Sequence, residues 1–302
     1  MADKVVVTGV KGLIGGSLAI ELRKLGYDVV GVDNGSDIEI SDLFRWMQLN
    51  HEDIRFIFHM GAETNTLETD DAIFKKYNYG YSESLWYRCA RYRIPLIYAS
   101  SAATYGAGEL GYSDSLHPQF LKPLNPYGHS KNEFDKFVLS HNHINDAPFW
   151  AGLKFFNVYG YDESHKGKMA SMIYQAYNQI KERGRLRLFK YGHQSRDFIY
   201  VEDVVNIMIW MMNNKPESGI YNVGTGVARN FIDMANSVFD SINATREIDY
   251  FDMPESVKDK YQSYTQADVS KLIKEGYNQP FTSLENGVNQ YIQKLEECHQ
   301  LK

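Results

Sequence analysis

Short runs of β-branched and aromatic residues alternate with longer stretches of helical periodicity through the first half of the chain. Residues 5–8, 28–32, 55–59, 96–100 and 152–156 predict strands, and residues 15–25, 42–50, 72–92 and 127–143 predict helices between them. The strands are mainly apolar, and their alternation with helical stretches is the pattern of a parallel sheet covered on both faces. Past residue 160 the regularity weakens. A helix over 169–183, a strand over 186–189 and a helix over 204–213 are legible, followed by a tail rich in Tyr, Asp and Lys. The segment Met208-Ile209-Trp210-Met211-Met212 reads as buried packing. The expected architecture is an α/β, doubly wound parallel sheet with a smaller, partly interleaved α+β domain. The expected boundaries put 1–159 and 197–228 in the first domain, 160–196 and 229–302 in the second.

Composition narrows the function classes. With 302 residues, 43% hydrophobic, the chain can bury a large core, and its net charge of −6 provides no basic stripe for nucleic acid. Two cysteines, Cys89 and Cys298, form no CxxC pair, which fits a reducing compartment. The chain shows neither a signal-peptide pattern at its start nor an apolar run of membrane-spanning length, so the expectation is a cytoplasmic protein with no membrane partner. His141 and His143 form an H-x-H without an acidic or thiol partner at ligand spacing, and no metal is expected.

The first strand runs into Thr8-Gly9-Val10-Lys11-Gly12-Leu13-Ile14-Gly15, a G-x-x-G-x-x-G spacing that opens a helix. Such a loop turns tightly, lets the backbone approach a pyrophosphate and aims the helix N-terminus at it. Gly9, Gly12, Leu13, Ile14 and Gly15 are therefore candidate cofactor contacts, and the sheet is expected to be Rossmann-like. Asp33, ending the second strand beside Asn34, can accept hydrogen bonds from an adenosine ribose. That carboxylate favours NAD, whereas Arg45 in the next helix is a candidate partner for the 2′-phosphate of NADP. The choice between NADP and NAD stays open.

Tyr127 and Lys131 are four residues apart at the start of a helix and share one face. An ammonium beside a phenol favours the phenolate and is expected to lower the phenol from about 10. The pair then forms a general base for a hydroxyl proton while hydride leaves for a nicotinamide. Ser101, following the fourth strand, can hydrogen-bond the reacting oxygen.

These residues, with Arg196-Asp197-Phe198-Ile199-Tyr200-Val201-Glu202-Asp203-Val204 and Tyr221-Asn222-Val223-Gly224-Thr225-Gly226, resemble the extended short-chain dehydrogenase/reductase superfamily over essentially the whole chain. Dehydratases of that superfamily carry an Asp-Glu pair directly after the serine or threonine. Ala102 and Ala103 stand there, leaving no acid–base pair for loss of water. Within the superfamily, Phe156-Asn157-Val158-Tyr159-Gly160, Glu163-Ser164-His165-Lys166-Gly167-Lys168-Met169 and Tyr261-Gln262-Ser263-Tyr264-Thr265-Gln266-Ala267-Asp268 look like the ADP-L-glycero-D-manno-heptose 6-epimerases.

That resemblance implies a second base, Lys166, opposite Tyr127. It also implies cofactor contacts from Met60, Gly61, Ala62, Glu63, Thr64, Asn78, Lys131 and Val158. Substrate contacts would come from Ser101, Asn157, Phe189, Arg196 and Tyr261, with Lys168 and Gln175 standing where the family has other substrate-facing residues. The implied partner is a nucleotide sugar, ADP-heptose, and the implied assembly a homo-oligomer. Two other readings stay open: an NAD(P)-dependent sugar-nucleotide 4-epimerase or dehydrogenase, and a non-catalytic dinucleotide-sensing protein.

Overall fold

The computed structural model describes residues 3–65, 68, 70–142, 148–255 and 262–300; His143, Tyr261 and the side chain of Lys168 lie outside what is described. The strands β1 (Lys4–Thr8), β2 (Asp28–Val32), β3 (Ile54–His59), β4 (Leu96–Ser101), β5 (Trp150–Phe155) and β9 (Gly219–Val223) form one sheet in the order β2-β1-β3-β4-β5-β9. Every pairing in it is parallel. The chain leaves β1 toward β2 and then returns to β3 on the other side of β1. This reversal opens a crevice at the carboxyl ends of β1 and β3, where open α/β sheets bind ligands.

Strand alternation splits β1 between two cores. Val5 and Val7 pack with Leu18 and Leu22 of α1 (Leu13–Lys24) and with Met208 and Met211 of α7 (Val201–Asn214). Val6 packs on the opposite face with Met47 of α2 (Leu43–Asn50), Trp86 of α4 (Tyr81–Tyr92), and Phe134 and Val138 of α5 (Pro126–His141). A strand buried on both sides is apolar at most positions, which is why these segments read as nearly continuous hydrophobic runs.

One sequence expectation needs correction. The helix expected over 72–92 is interrupted: α3 (Asp71–Phe74) runs into a π-helical stretch, Lys75–Gly80, before α4 begins. Widening of the turn there leaves Asn78 almost fully buried, and such π segments often accompany functional sites.

The tail, given to the smaller domain without named elements, is regular over much of its length. It contains α8 (Phe231–Ser241), β11 (Ile248–Phe251), a short helix Ser270–Lys274 and a long helix Leu284–Gln300. Leu284, Val288, Tyr291, Ile292 and Leu295 face a second core shared with α6 (Met172–Arg183), β7 (Leu186–Phe189) and α8. Their helical spacing was hidden by the polar residues between them. Leu13, at the start of α1, also enters this second core and so joins the glycine loop to it.

A three-stranded sheet, β10-β8-β6, joins β6 (Asn157–Tyr159), β8 (Ser195–Tyr200) and β10 (Ala228–Asn230). The fully buried Asp197 of β8 is its fastener. One carboxylate oxygen accepts from the Thr225 N–H and hydroxyl, both at 2.7 Å; the other accepts from the N–H groups of Gly226 at 2.9 Å and Ala267 at 3.0 Å. Among the described residues no helix is long and apolar enough to cross a membrane.

Asp197→Ala leaves four donors, one buried and three part-buried, without their acceptor. The expected loss of unfolding free energy in urea is about 3 kcal/mol or more. A loss below about 1 kcal/mol would show that water replaces the carboxylate without cost.

Candidate functional site

The glycine loop sits at the carboxyl end of β1 because nothing larger fits. A Cβ on Gly9, whose φ is +69°, would lie 2.6 Å from the Gly61 nitrogen, and one on Gly15 would lie 2.2 Å from the Gly9 carbonyl oxygen. Gly12 caps α1, and Leu13 and Ile14 form its first turn, so the free N–H groups of that turn face the crevice. Both Asp33 carboxylate oxygens are engaged, one by the Lys11 N–H at 3.0 Å and the other by the Asn34 N–H at 2.9 Å. The Lys11 ammonium donates to the Asn34 carbonyl at 2.5 Å beside Gly35. This cation was not singled out in the sequence, because it lies inside the glycine motif. Arg45 is exposed on α2. Loop, dipole and the Asp33 carboxylate together suit a dinucleotide.

A hydrogen-bonded chain crosses from β1 to α5. Gly61 N–H donates to the Thr8 hydroxyl at 3.0 Å, and Thr8 lies 2.8 Å from His59 Nδ1. His59 Nε2 meets the Ser82 hydroxyl at 2.9 Å, and Ser82 donates to the Asn78 carbonyl at 2.5 Å. The donor sequence assigns the His59 proton to Nε2. Asn78 brackets Glu63, accepting from its N–H at 2.8 Å and donating to its carbonyl at 3.0 Å. It also donates to the Ser130 hydroxyl at 3.1 Å, which in turn donates to the Tyr127 carbonyl at 2.7 Å. Met60 packs against the core beneath, while Ala62 is half-buried and Thr64 exposed along the same segment. Val158, half-buried in β6, touches both cores.

Asn125 fixes where α5 starts. Its side chain accepts from the Gly128 N–H at 2.8 Å, with Pro126 in the first turn, so Tyr127 emerges at the helix N-terminus. Gly128 lets the helix approach the turn after Ser101, since a Cβ there would lie 2.9 Å from the Ala103 carbonyl oxygen. Ser101, Tyr127 and Lys131 thereby converge at the end of β4. Lys131 donates to the Ala99 carbonyl at 2.8 Å, and its ammonium lies 6.0 Å from the Tyr127 ring centre.

The expected lowering of Tyr127 by Lys131 is not what the chain alone provides. Burial pushes the phenol up, partly offset by its hydrogen bond with Ser101. Burial also brings Lys131 down to about 8, against the upward pull of Asp135. Desolvation outweighs the neighbouring charge, so the unliganded phenol holds its proton.

Lys166 lies on the turn Ser164–Met169, half-buried, its ammonium lowered by burial and raised by Glu163. Glu163 is fully buried and fastens this turn, accepting from the N–H groups of Gly160 at 3.1 Å and Ser171 at 2.5 Å. Arg196 is buried in β8, donates to the Ser195 carbonyl at 3.0 Å and lies 5.7 Å over the Phe231 ring. Asn157 is exposed at the start of β6. Gln175 donates to the Ala170 carbonyl at 2.8 Å, and Phe189 packs 4.9 Å from Phe251. Tyr127 thus hydrogen-bonds Ser101 and has Lys131 one turn along its helix, whereas Lys166, Arg196, Gln175 and Phe189 stand on other elements.

Comparison with known proteins places these residues in context. A model of the NAD dependent epimerase/dehydratase family matches residues 5–224. ADP-L-glycero-D-manno-heptose-6-epimerase of Fusobacterium nucleatum is 41% identical, over 96% of this chain and 97% of its own. The protein of the same name from Brachyspira hyodysenteriae is 35% identical, with 97% and 98% covered. Among solved structures, the Helicobacter pylori ADP-L-glycero-D-manno-heptose-6-epimerase is 27% identical with a TM-score of 0.83, covering 97% of this chain and 96% of that one. A UDP-N-acetylglucosamine 4-epimerase from Methanobrevibacter ruminantium, 22% identical with a TM-score of 0.84 over 99% and 100% of the chains, shares the fold.

Burial lowers His59 from 6.5 to about 3, the Lys131 charge adding to the effect. The unfolded chain therefore binds the proton first, and stability falls as pH drops from about 6.5 toward 3. Urea melts across that range should show this slope, and His59→Gln should flatten it; an unchanged slope would place the acid sensitivity elsewhere.

Proposed function

Since the chain belongs to the NAD dependent epimerase/dehydratase family, we propose that it inverts C6 of an ADP-activated heptose, converting ADP-D-glycero-D-manno-heptose to ADP-L-glycero-D-manno-heptose. The observation that carries this reading is likeness over nearly the full chain, at 35–41% identity, to proteins of that name. Ala102 and Ala103 support it by removing the acid–base pair a dehydratase needs.

The bound nicotinamide dinucleotide would take hydride from C6 and later return it to the opposite face. Gly9, Gly12, Leu13, Ile14 and Gly15 would hold its pyrophosphate, with Asp33 and Asn34 at the adenosine ribose. Residues 60–64, Asn78 and Val158 would line the rest. Tyr127 would handle the hydroxyl proton in one orientation of the sugar, with Ser101 holding that oxygen and Lys131 favouring the phenolate. After the ketone turns over in the site, Lys166 would serve the other face, its proton affinity lowered by burial. Arg196 suits a diphosphate, whose oxygens a guanidinium can bind in pairs. Asn157, Gln175 and Phe189 would complete the sugar-nucleotide contacts, and the segments 160–196 and 229–302 the substrate domain.

The preferred cofactor under this reading is NADP. Asp33 is already engaged by backbone donors, and the Lys11 ammonium beside Asn34 has donors to spare for a 2′-phosphate. Lys11→Ala should weaken NADP+ binding by roughly tenfold in calorimetry while leaving NAD+ nearly unchanged. Equal loss for both dinucleotides, or loss only in Arg45→Ala, would remove this role from Lys11.

Incubation of the purified protein with ADP-D-glycero-D-manno-heptose should yield the 6-epimer by NMR, without net absorbance gain near about 340 nm. Lys166→Ala should abolish epimer formation while the dinucleotide still binds. A keto product accumulating with reduced cofactor would point to a dehydrogenase; no binding of either dinucleotide would remove every enzymatic reading.

A further inference from the structure

Beneath the Tyr127–Lys131 pair lies a second charged pair that the chemistry above does not use. Asp135 follows Lys131 by four residues, so the two stand on the same face of α5. Its carboxylate is 0% exposed and pairs at 2.8 Å with Lys154 of β5, itself 1% exposed. Tyr98 donates to one oxygen at 3.0 Å and Ser100 to the other at 2.8 Å. Lys154 also donates to the Thr104 hydroxyl at 2.6 Å, and Thr104 donates to the Ser101 carbonyl at 2.8 Å.

The surroundings are shaped for this pair. Ser100 and Lys154 are register partners on β4 and β5. Gly152 leaves room for the Tyr98 phenol, since a Cβ there would lie 2.4 Å from the ring. A buried ion pair contributes little net stability compared with apolar residues of the same volume, so stability alone does not explain the arrangement. What it joins is informative: the helix of Tyr127 and Lys131, the strand ending in Ser101, and the turn after it.

We infer that Asp135 and Lys154 are positioning residues for proton transfer, with Asp135 holding Lys131 in its charged state and Lys154 holding Asp135 in place against β4. This inference rests on the roles proposed for Tyr127 and Lys131. The groups facing Lys131 are few. Tyr127 and Asp135 come from its own helix, His59 from β3 and the Ala99 carbonyl from β4, while Lys154 of β5 lies behind Asp135. His59 stays neutral above about 3, so it adds no charge.

The test is the alkaline limb of the kcat pH profile with cofactor-loaded protein and ADP-D-glycero-D-manno-heptose. Lys131 must be charged for turnover, so that limb reports its deprotonation. Asp135→Asn removes the upward pull and should move the limb down by roughly one unit. Lys154→Met leaves Asp135 uncompensated and should move it up. Opposite shifts support the pair's role, because a purely structural lesion has no reason to change sign. Unchanged limbs, or shifts in the same direction, overturn it.

Should the single variants fail to fold, the charge-free Asp135→Asn/Lys154→Met double variant decides. A folded protein whose limb still lies below that of the unaltered chain supports the inference, because Asp135 is the nearer charge. A limb that has not moved, or a double variant that also fails to fold, overturns it. Absence of turnover by the unaltered chain at every pH would overturn the site reading and, with it, the pair's role.

Discussion

The helical stack of Tyr127, Lys131 and Asp135 on one face of α5 is the constraint on which the site depends. A phenol, an ammonium and a carboxylate, one turn apart, can act on a bound hydroxyl only if the helix starts at one residue and points one way. The Asn125 cap and Pro126 set the start. Gly128 permits the close approach to the turn after Ser101, and the Asp135–Lys154 pair ties the far turn to β4 and β5.

Burial makes this stack electrostatically demanding. Desolvation raises Tyr127 and lowers Lys131, and each shift works against the charged form that proton transfer requires. The polypeptide therefore supplies a protonated phenol and a weakened ammonium. The chain from Thr8 through His59, Asn78 and Ser130 to the Tyr127 carbonyl couples the dinucleotide crevice to the start of α5 through neutral groups.

Legibility in the sequence followed burial pattern. The parallel strands were visible because both faces are covered, and the motif residues Gly9, Ser101, Tyr127 and Lys131 were visible because their spacing is local. The second core was legible only in part, through its segments 172–183 and 186–189. Its helix Leu284–Gln300 buries one stripe and exposes the rest, so Glu, Gln and Lys dilute the apolar period. The π segment that turns Asn78 inward has no strong local signature. Lys11 was masked by the glycine motif around it. Two signals could have found the buried pair: a lysine in the otherwise apolar Trp150–Phe155, and an aspartate extending the Tyr127–Lys131 spacing by one more turn.

Under the proposed reaction the same hydride leaves C6 and returns to its other face while the sugar stays bound. Substrate carrying deuterium at C6, turned over in ordinary water and examined by NMR and mass spectrometry, tests this directly. An epimer that keeps its deuterium at C6 is expected. An epimer that has exchanged that deuterium for solvent hydrogen would contradict it.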